Sequence, residues 1–157
     1  MSVTVAKTAG FCFGVRRAVE LAEEQAHEHG SIYAYGEIIH NMHEIERLEK
    51  MGVHTAHTIE EIPDGERVLI RAHGVPRAVY DAFRAKNCEI FDATCPFVHK
   101  IHRIVDEESR AGRLIVILGK EGHPEVEGIR GWCGESVVID GEQAAQTFAD
   151  AFNPADR

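Results

Sequence analysis

Gly10-Phe11-Cys12-Phe13-Gly14-Val15-Arg16-Arg17 lies between an apolar run, Val3-Thr4-Val5-Ala6, and a helix-like run from Val15 to His27. The order reads as strand, tight turn, helix, the opening unit of an α/β fold. The glycines let the backbone turn sharply and come close to a bound group. The helix that follows offers free N–H groups and a positive dipole end, both favourable to a thiolate or an anion. Cys12 therefore has two readings: an inert, buried cysteine in a turn, or a functional thiolate.

The alternation continues along the chain. Strands are expected at Val3–Lys7, Ser31–Tyr35, Arg67–Arg71, Glu89–Asp92, Arg113–Leu118 and Ser136–Asp140. Helices are expected at Val15–His29, Asn41–Met51, Pro76–Lys86, Phe97–Ala111, Pro124–Gly131 and Glu142–Phe152. Turn signals at Gly30, Gly52, Pro63-Asp64-Gly65, Gly112 and Gly141 separate them. Pro76, Pro96 and Pro124 suit first helical turns. Val68-Leu69-Ile70 and Ile115-Val116-Ile117-Leu118 read as strands buried on both faces. The expected class is α/β, built from small parallel-sheet domains with right-handed crossovers. Pro96 opens a new helix, so the expected division is 1–95, complete with four strands, and 96–157, with two strands and an unfinished look. Asn153–Arg157 reads as a frayed end.

Composition is that of a soluble globular protein: 44% hydrophobic and 27% charged over 157 residues. The net charge of −9 argues against a general nucleic-acid binder, which needs a dominant basic face. It leaves room for a small anion held by a local basic cluster. The absence of a membrane-length apolar run or an N-terminal leader predicts a cytoplasmic protein that binds no membrane. Four cysteines without a Cys-x-x-Cys pair are neither a disulfide framework nor a zinc ribbon. Among ten histidines, His27, His29, His54 and His57 read as surface residues, and His43, His99 and His102 as solvated or capping ones. Cys88, just before a strand, is assigned to packing.

In open parallel sheets ligands bind beyond the carboxyl ends of the strands. Cys12, His40, His73, Cys95 and His123 each follow one of the first five expected strands. Five soft or titratable groups in equivalent loops point to a single site of two thiolates and three imidazoles. Zinc accepts such ligands, but its usual signature is short Cys/His spacing. Thiolates on distant loops suit an iron–sulfur cluster, and protonated imidazoles suit a polyanion such as a diphosphate. Backbone N–H groups at the helix starts after the histidines would add donors. Glu125, two residues beyond His123, could move protons in the same pocket.

These motifs, Gly10–Arg17, Gly36–Asn41, Arg71–Pro76, Asp92–Pro96 and Gly122–Gly128, resemble the LytB (IspH) family of 4-hydroxy-3-methylbut-2-enyl diphosphate reductases. The resemblance runs in order to about Gly131, and Gly131-Trp132-Cys133 also fits some members. It implies that Cys12 and Cys95 are two of three thiolate ligands of a [4Fe-4S] cluster. It implies that His40, His73 and His123 hold the diphosphate and that Glu125 delivers protons. The implied reaction of the methylerythritol phosphate route to isoprenoids adds two electrons and two protons, and removes water. It yields isopentenyl and dimethylallyl diphosphates, with ferredoxin or a flavodoxin-type carrier as electron donor. The family has three similar α/β domains, so the resemblance covers an N-terminal portion in which the third domain and third cluster cysteine are missing. Cys133 is not a ligand in that family. The alternative expectation is a non-catalytic diphosphate- or metal-binding module that needs a partner chain, with exposed apolar surface on its second domain.

Overall fold

The computed structural model describes residues 2–152, and the chain divides into two compact units. The first comprises residues 1–72 and 81–96, and the second residues 73–80 and 97–157.

In the first unit, helix α1 (Phe13–His29) precedes strand β1 (Ile32–Tyr35). Helix α2 (Met42–Lys50), strand β2 (Val53–Ala56) and strand β3 (Arg67–Ile70) follow. Helix α3 (Arg77–Ala85) leads to strand β4 (Glu89–Asp92), and the unit boundary falls inside this helix. All four strands are parallel in the order β2-β1-β3-β4, with Tyr33 level with His54 on one side and Val68 on the other. Ala18, Ala22 and Ala26 recur every fourth residue on α1 and are buried, with Val19 beside them. This spacing puts one small-residue stripe on the core side, where it packs with Ile32, Ala34, Val53 and Leu69 of the sheet. The helix stops at Gly30, which takes a left-handed conformation (φ +77°) and donates its N–H to the Ala26 carbonyl. Val68, Leu69 and Ile70 are fully buried, as expected of a strand between two others.

In the second unit, helix α4 (Pro96–Arg110), strand β5 (Ile115–Leu118), helix α5 (Pro124–Arg130), strand β6 (Ser136–Ile139) and helix α6 (Glu142–Ala151) follow in turn. β5 and β6 form a parallel pair. Val105, Ile117, Val126 and Ile129 make the buried core, and Trp132 and Val138 pack against it.

The parallel α/β class is as expected, but four local readings are corrected. Val3–Lys7 forms no strand, so Cys12 follows an irregular segment in which the Ala9 N–H donates to Ala6 O. Val3 and Val5 are 89% and 74% exposed, and the run pairs with no neighbour among the described residues. The fourth strand of the first sheet is instead Val53–Ala56. Its buried residues, Val53 and Ala56, lie three apart and enclose an exposed His54, so it lacks the alternation that marks a half-buried strand. β5 is buried on one face only: Leu118 is 79% and Val116 42% exposed, while Ile115 and Ile117 on the other face join the core with Val105, Val126 and Ile129. His102 is a core residue, 1% exposed and stacked on Trp132 with ring centroids 5.2 Å apart. Its place in the buried α4 stripe with Val98 and Val105 carries it inward. Asn153–Arg157 lies outside the described residues.

Candidate functional site

Within the first unit, two cysteines 83 positions apart in the sequence come to neighbouring turns. Cys12 is the N-cap of α1 and is exposed; its backbone is extended, and its side chain makes no capping hydrogen bond. The carbonyl of Cys12 accepts the Arg16 N–H at 2.9 Å, closing the first helical turn. Cys95 packs onto that turn: a Cβ on Gly14 would lie 2.7 Å from the Cys95 sulfur. Glycine at position 14 is thus a packing requirement of the sulfur.

The loop carrying Cys95 is held from both sides. Its N–H donates to Ala72 O, and Ala93 N–H to Ile70 O, extending the β3–β4 pairing beyond the strands. Asp92 accepts the Thr94 N–H at 2.8 Å, bending the loop after β4. From α1, the Arg17 guanidinium donates to Thr94 O at 3.3 Å and Asp92 O at 3.2 Å. Arg17 therefore ties the helix that Cys12 caps to the loop that carries Cys95.

His40 follows β1, and its Nδ1 lies 3.4 Å from a Glu37 carboxylate oxygen. The next residue, Asn41, caps α2 by accepting the Glu44 N–H. Arg71, directly after β3, lays its guanidinium over Gly36. Burial lowers the pKa of Arg71, while Tyr35 and Glu37 oppose the shift.

The second unit holds its own cluster. The rings of His73 and His123 meet edge to face, with centroids 6.1 Å apart. His123 is the N-cap of α5, and its Nδ1 accepts the Glu125 N–H at 3.2 Å. A ring that accepts at Nδ1 carries its proton on Nε2, so neutral His123 already presents a donor at its far nitrogen. Glu125 is half-buried in the first turn of α5. Gly128 lets α5 approach the 73–74 backbone: a Cβ there would be 3.4 Å from His73 O. Trp132 Nε1 donates to Val75 O at 2.9 Å, fixing the segment after His73.

Among the described residues no three His, Cys, Asp or Glu side chains converge as a metal site. The other thiols face carbonyls: Cys88 lies 3.7 Å from Pro63 O, and Cys133 3.5 Å from Arg130 O. In the sequence Arg17 and Arg71 stand inside motifs with no task of their own, and Gly14 has only that of a turn residue. Contacts across more than seventy residues leave no spacing signal that could have found Arg17.

Residues 3–154 match the family model of the LytB protein family. The chain is 44% identical over 140 residues to 4-hydroxy-3-methylbut-2-enyl diphosphate reductase of Clostridioides difficile, covering 88% of this chain and 50% of that protein. It is 41% identical over 145 residues to the Aquifex aeolicus enzyme of the same name, covering 89% and 50%. A solved structure of (E)-4-hydroxy-3-methyl-but-2-enyl diphosphate reductase superposes with a TM-score of 0.80 at 39% identity, over 95% of this chain and 53% of that one. The Plasmodium falciparum reductase superposes with a TM-score of 0.85 at 29% identity, over 94% and 46%. The chain thus spans about half the length of the relatives it matches. Among the described residues no helix is long and apolar enough to cross a membrane. With its fold and almost its whole length matched, the chain belongs to the LytB family.

Proposed function

We propose that this chain carries part of the machinery of a 4-hydroxy-3-methylbut-2-enyl diphosphate reductase, which removes the substrate hydroxyl as water with two electrons and two protons. The observation that carries the reading is Cys95 seated on the first turn of the helix that Cys12 caps. Thiolates are the ligands iron–sulfur clusters use. The donor type fits a [4Fe-4S] cluster, with Cys12 and Cys95 as two ligands and a further thiolate supplied from outside this chain. When bound, the cluster supplies electrons and a Lewis-acidic iron.

The chain's own residues would bind and protonate the substrate. His40, His73 and His123 are the proposed diphosphate ligands, and His123 can donate from Nε2 while Nδ1 stays in the α5 cap. Glu125, anchored beside it through the same cap, is the proposed proton donor as the C–O bond breaks. Electrons would come from ferredoxin or a flavodoxin-type carrier.

Anaerobic iron–sulfur reconstitution, read by absorption and EPR, tests the cluster ligands. Iron retention that falls in Cys12→Ser and in Cys95→Ser supports the reading, and iron retention indifferent to both overturns it. The exposed outer face of β5, with Leu118 largely in solvent, favours a second reading. In it the chain is a diphosphate- or metal-binding module that acts only with a partner chain, so diphosphate binding without turnover distinguishes it.

A further inference from the structure

Arg71 directly follows β3, and its head rests over Gly36, which directly follows β1. Both residues lie at the carboxyl ends of adjacent parallel strands, the edge where such sheets take ligands. The seat leaves little room for a side chain on residue 36. A Cβ on Gly36 would lie 2.5 Å from Arg71 Nη1, and Gly36 itself holds φ at +75°. The chain has left out a side chain where the arginine head rests.

The head is poorly neutralised there. Arg71 Nε is buried without a hydrogen-bond partner, and no ion pair to Arg71 forms among the described residues. The groups that attract it are Tyr35 and Glu37, and the Glu37 carboxylate is already shared with His40. One carboxylate thus stands among an arginine and an imidazole. A half-buried charge lacking a full set of partners costs free energy, and an anion arriving beside it restores the balance. The planar guanidinium fork also matches phosphate oxygens in a bidentate manner.

We propose that Arg71 is a further cation of the diphosphate site, binding a phosphoryl oxygen on the His40 side. This rests on the reading of that edge as a diphosphate site. The competing account is that the guanidinium only fills the space Gly36 leaves.

Calorimetric titration of the whole chain with inorganic pyrophosphate separates the two accounts, with circular dichroism confirming that each variant is folded. Arg71→Gln should raise Kd roughly tenfold or more, the scale of a charge-assisted contact, and Arg71→Lys should restore part of the loss. Gly36→Ala, which crowds the head but keeps its charge and also strains a backbone held at φ +75°, should weaken binding less in the Arg71→Gln background than in wild type. Wild-type affinity in folded Arg71→Gln, with affinity reduced in His40→Ala, would leave the arginine as packing and overturn the proposal. A wild-type chain that takes up no pyrophosphate removes the diphosphate reading itself, and the assignment of Arg71 with it.

Discussion

The sulfur of Cys95 occupies the space that a side chain on residue 14 would need: Gly14 and Cys95 are packed so that a Cβ would come within 2.7 Å of Sγ and 3.0 Å of Cys95 Cβ. The contact makes the geometry of one thiol depend on the first turn of the helix capped by the other.

Gly14→Ala is the direct test of that contact. Helix propensity alone favours alanine by about 1 kcal/mol. Overpacking against the cysteine costs about 1–3 kcal/mol. The net expectation is a lower Tm together with reduced iron retention after anaerobic reconstitution. A raised Tm with unchanged iron would mean that the sulfur moves aside freely.

Arg17→Met should loosen the same region from the other side. It removes two charge-assisted hydrogen bonds to Thr94 O and Asp92 O while keeping much of the apolar stem. The expected loss is about 1–3 kcal/mol in urea unfolding. Iron retention should fall with it, although Arg17 is not itself a ligand.

His123 combines a cap with a proposed ligand role, and the two can be separated. His123→Ala should cost about 1 kcal/mol through the lost α5 cap. His123→Asn should recover most of that stability, because asparagine also accepts the Glu125 N–H. Pyrophosphate affinity should stay low in both. Binding that returns with asparagine would reduce the histidine to a structural cap.

Glu44 sets part of the acid response of the first unit. Hydrogen bonding to Arg47 holds its carboxyl below the ordinary carboxylate range, against the opposing effect of burial. A group with a depressed folded pKa adds stability above its unfolded value, and that stability is lost as pH falls through the folded one. Urea titrations should therefore show wild type losing its advantage over Glu44→Gln on going from neutral pH to below pH ~4. Parallel curves at all pH values would show that the Arg47 bond contributes nothing.

Leu118→Lys should leave stability within about 0.5 kcal/mol of wild type, since the side chain lies largely in solvent. If the outer face of β5 drives association, sedimentation should show less self-association for this variant. Unchanged sedimentation would mean that the face is inert in the isolated chain.

Much of this fold was legible because its signals are local. Proline and glycine punctuation placed the helices to within two residues at their starts, and the Val68–Ile70 run marked the central strand. The reading failed where structure depends on neighbours. Val3–Ala6 has strand-forming residues, yet a strand exists only with a partner to bond. Val53–Ala56 has the partner and lacks the pattern. His102 was expected to be solvated or capping, and its place in the buried α4 stripe and the ring of Trp132 put it inside. The candidate ligands could be picked out because each follows a strand or turn signal. The residues that fix the two cysteine turns, Gly14 and Arg17, act across the fold, and linear spacing carries no trace of such contacts.

The polypeptide enters the second unit at residue 73, returns to the first at residue 81, and leaves it again after residue 96. His73 thereby travels in an eight-residue excursion flanked on both sides by chain of the other unit. No single cut yields both units whole. Shuffling modules between relatives, or dissecting this chain by limited proteolysis, must respect three junctions, and a segment carrying His73 alone is complete in neither unit.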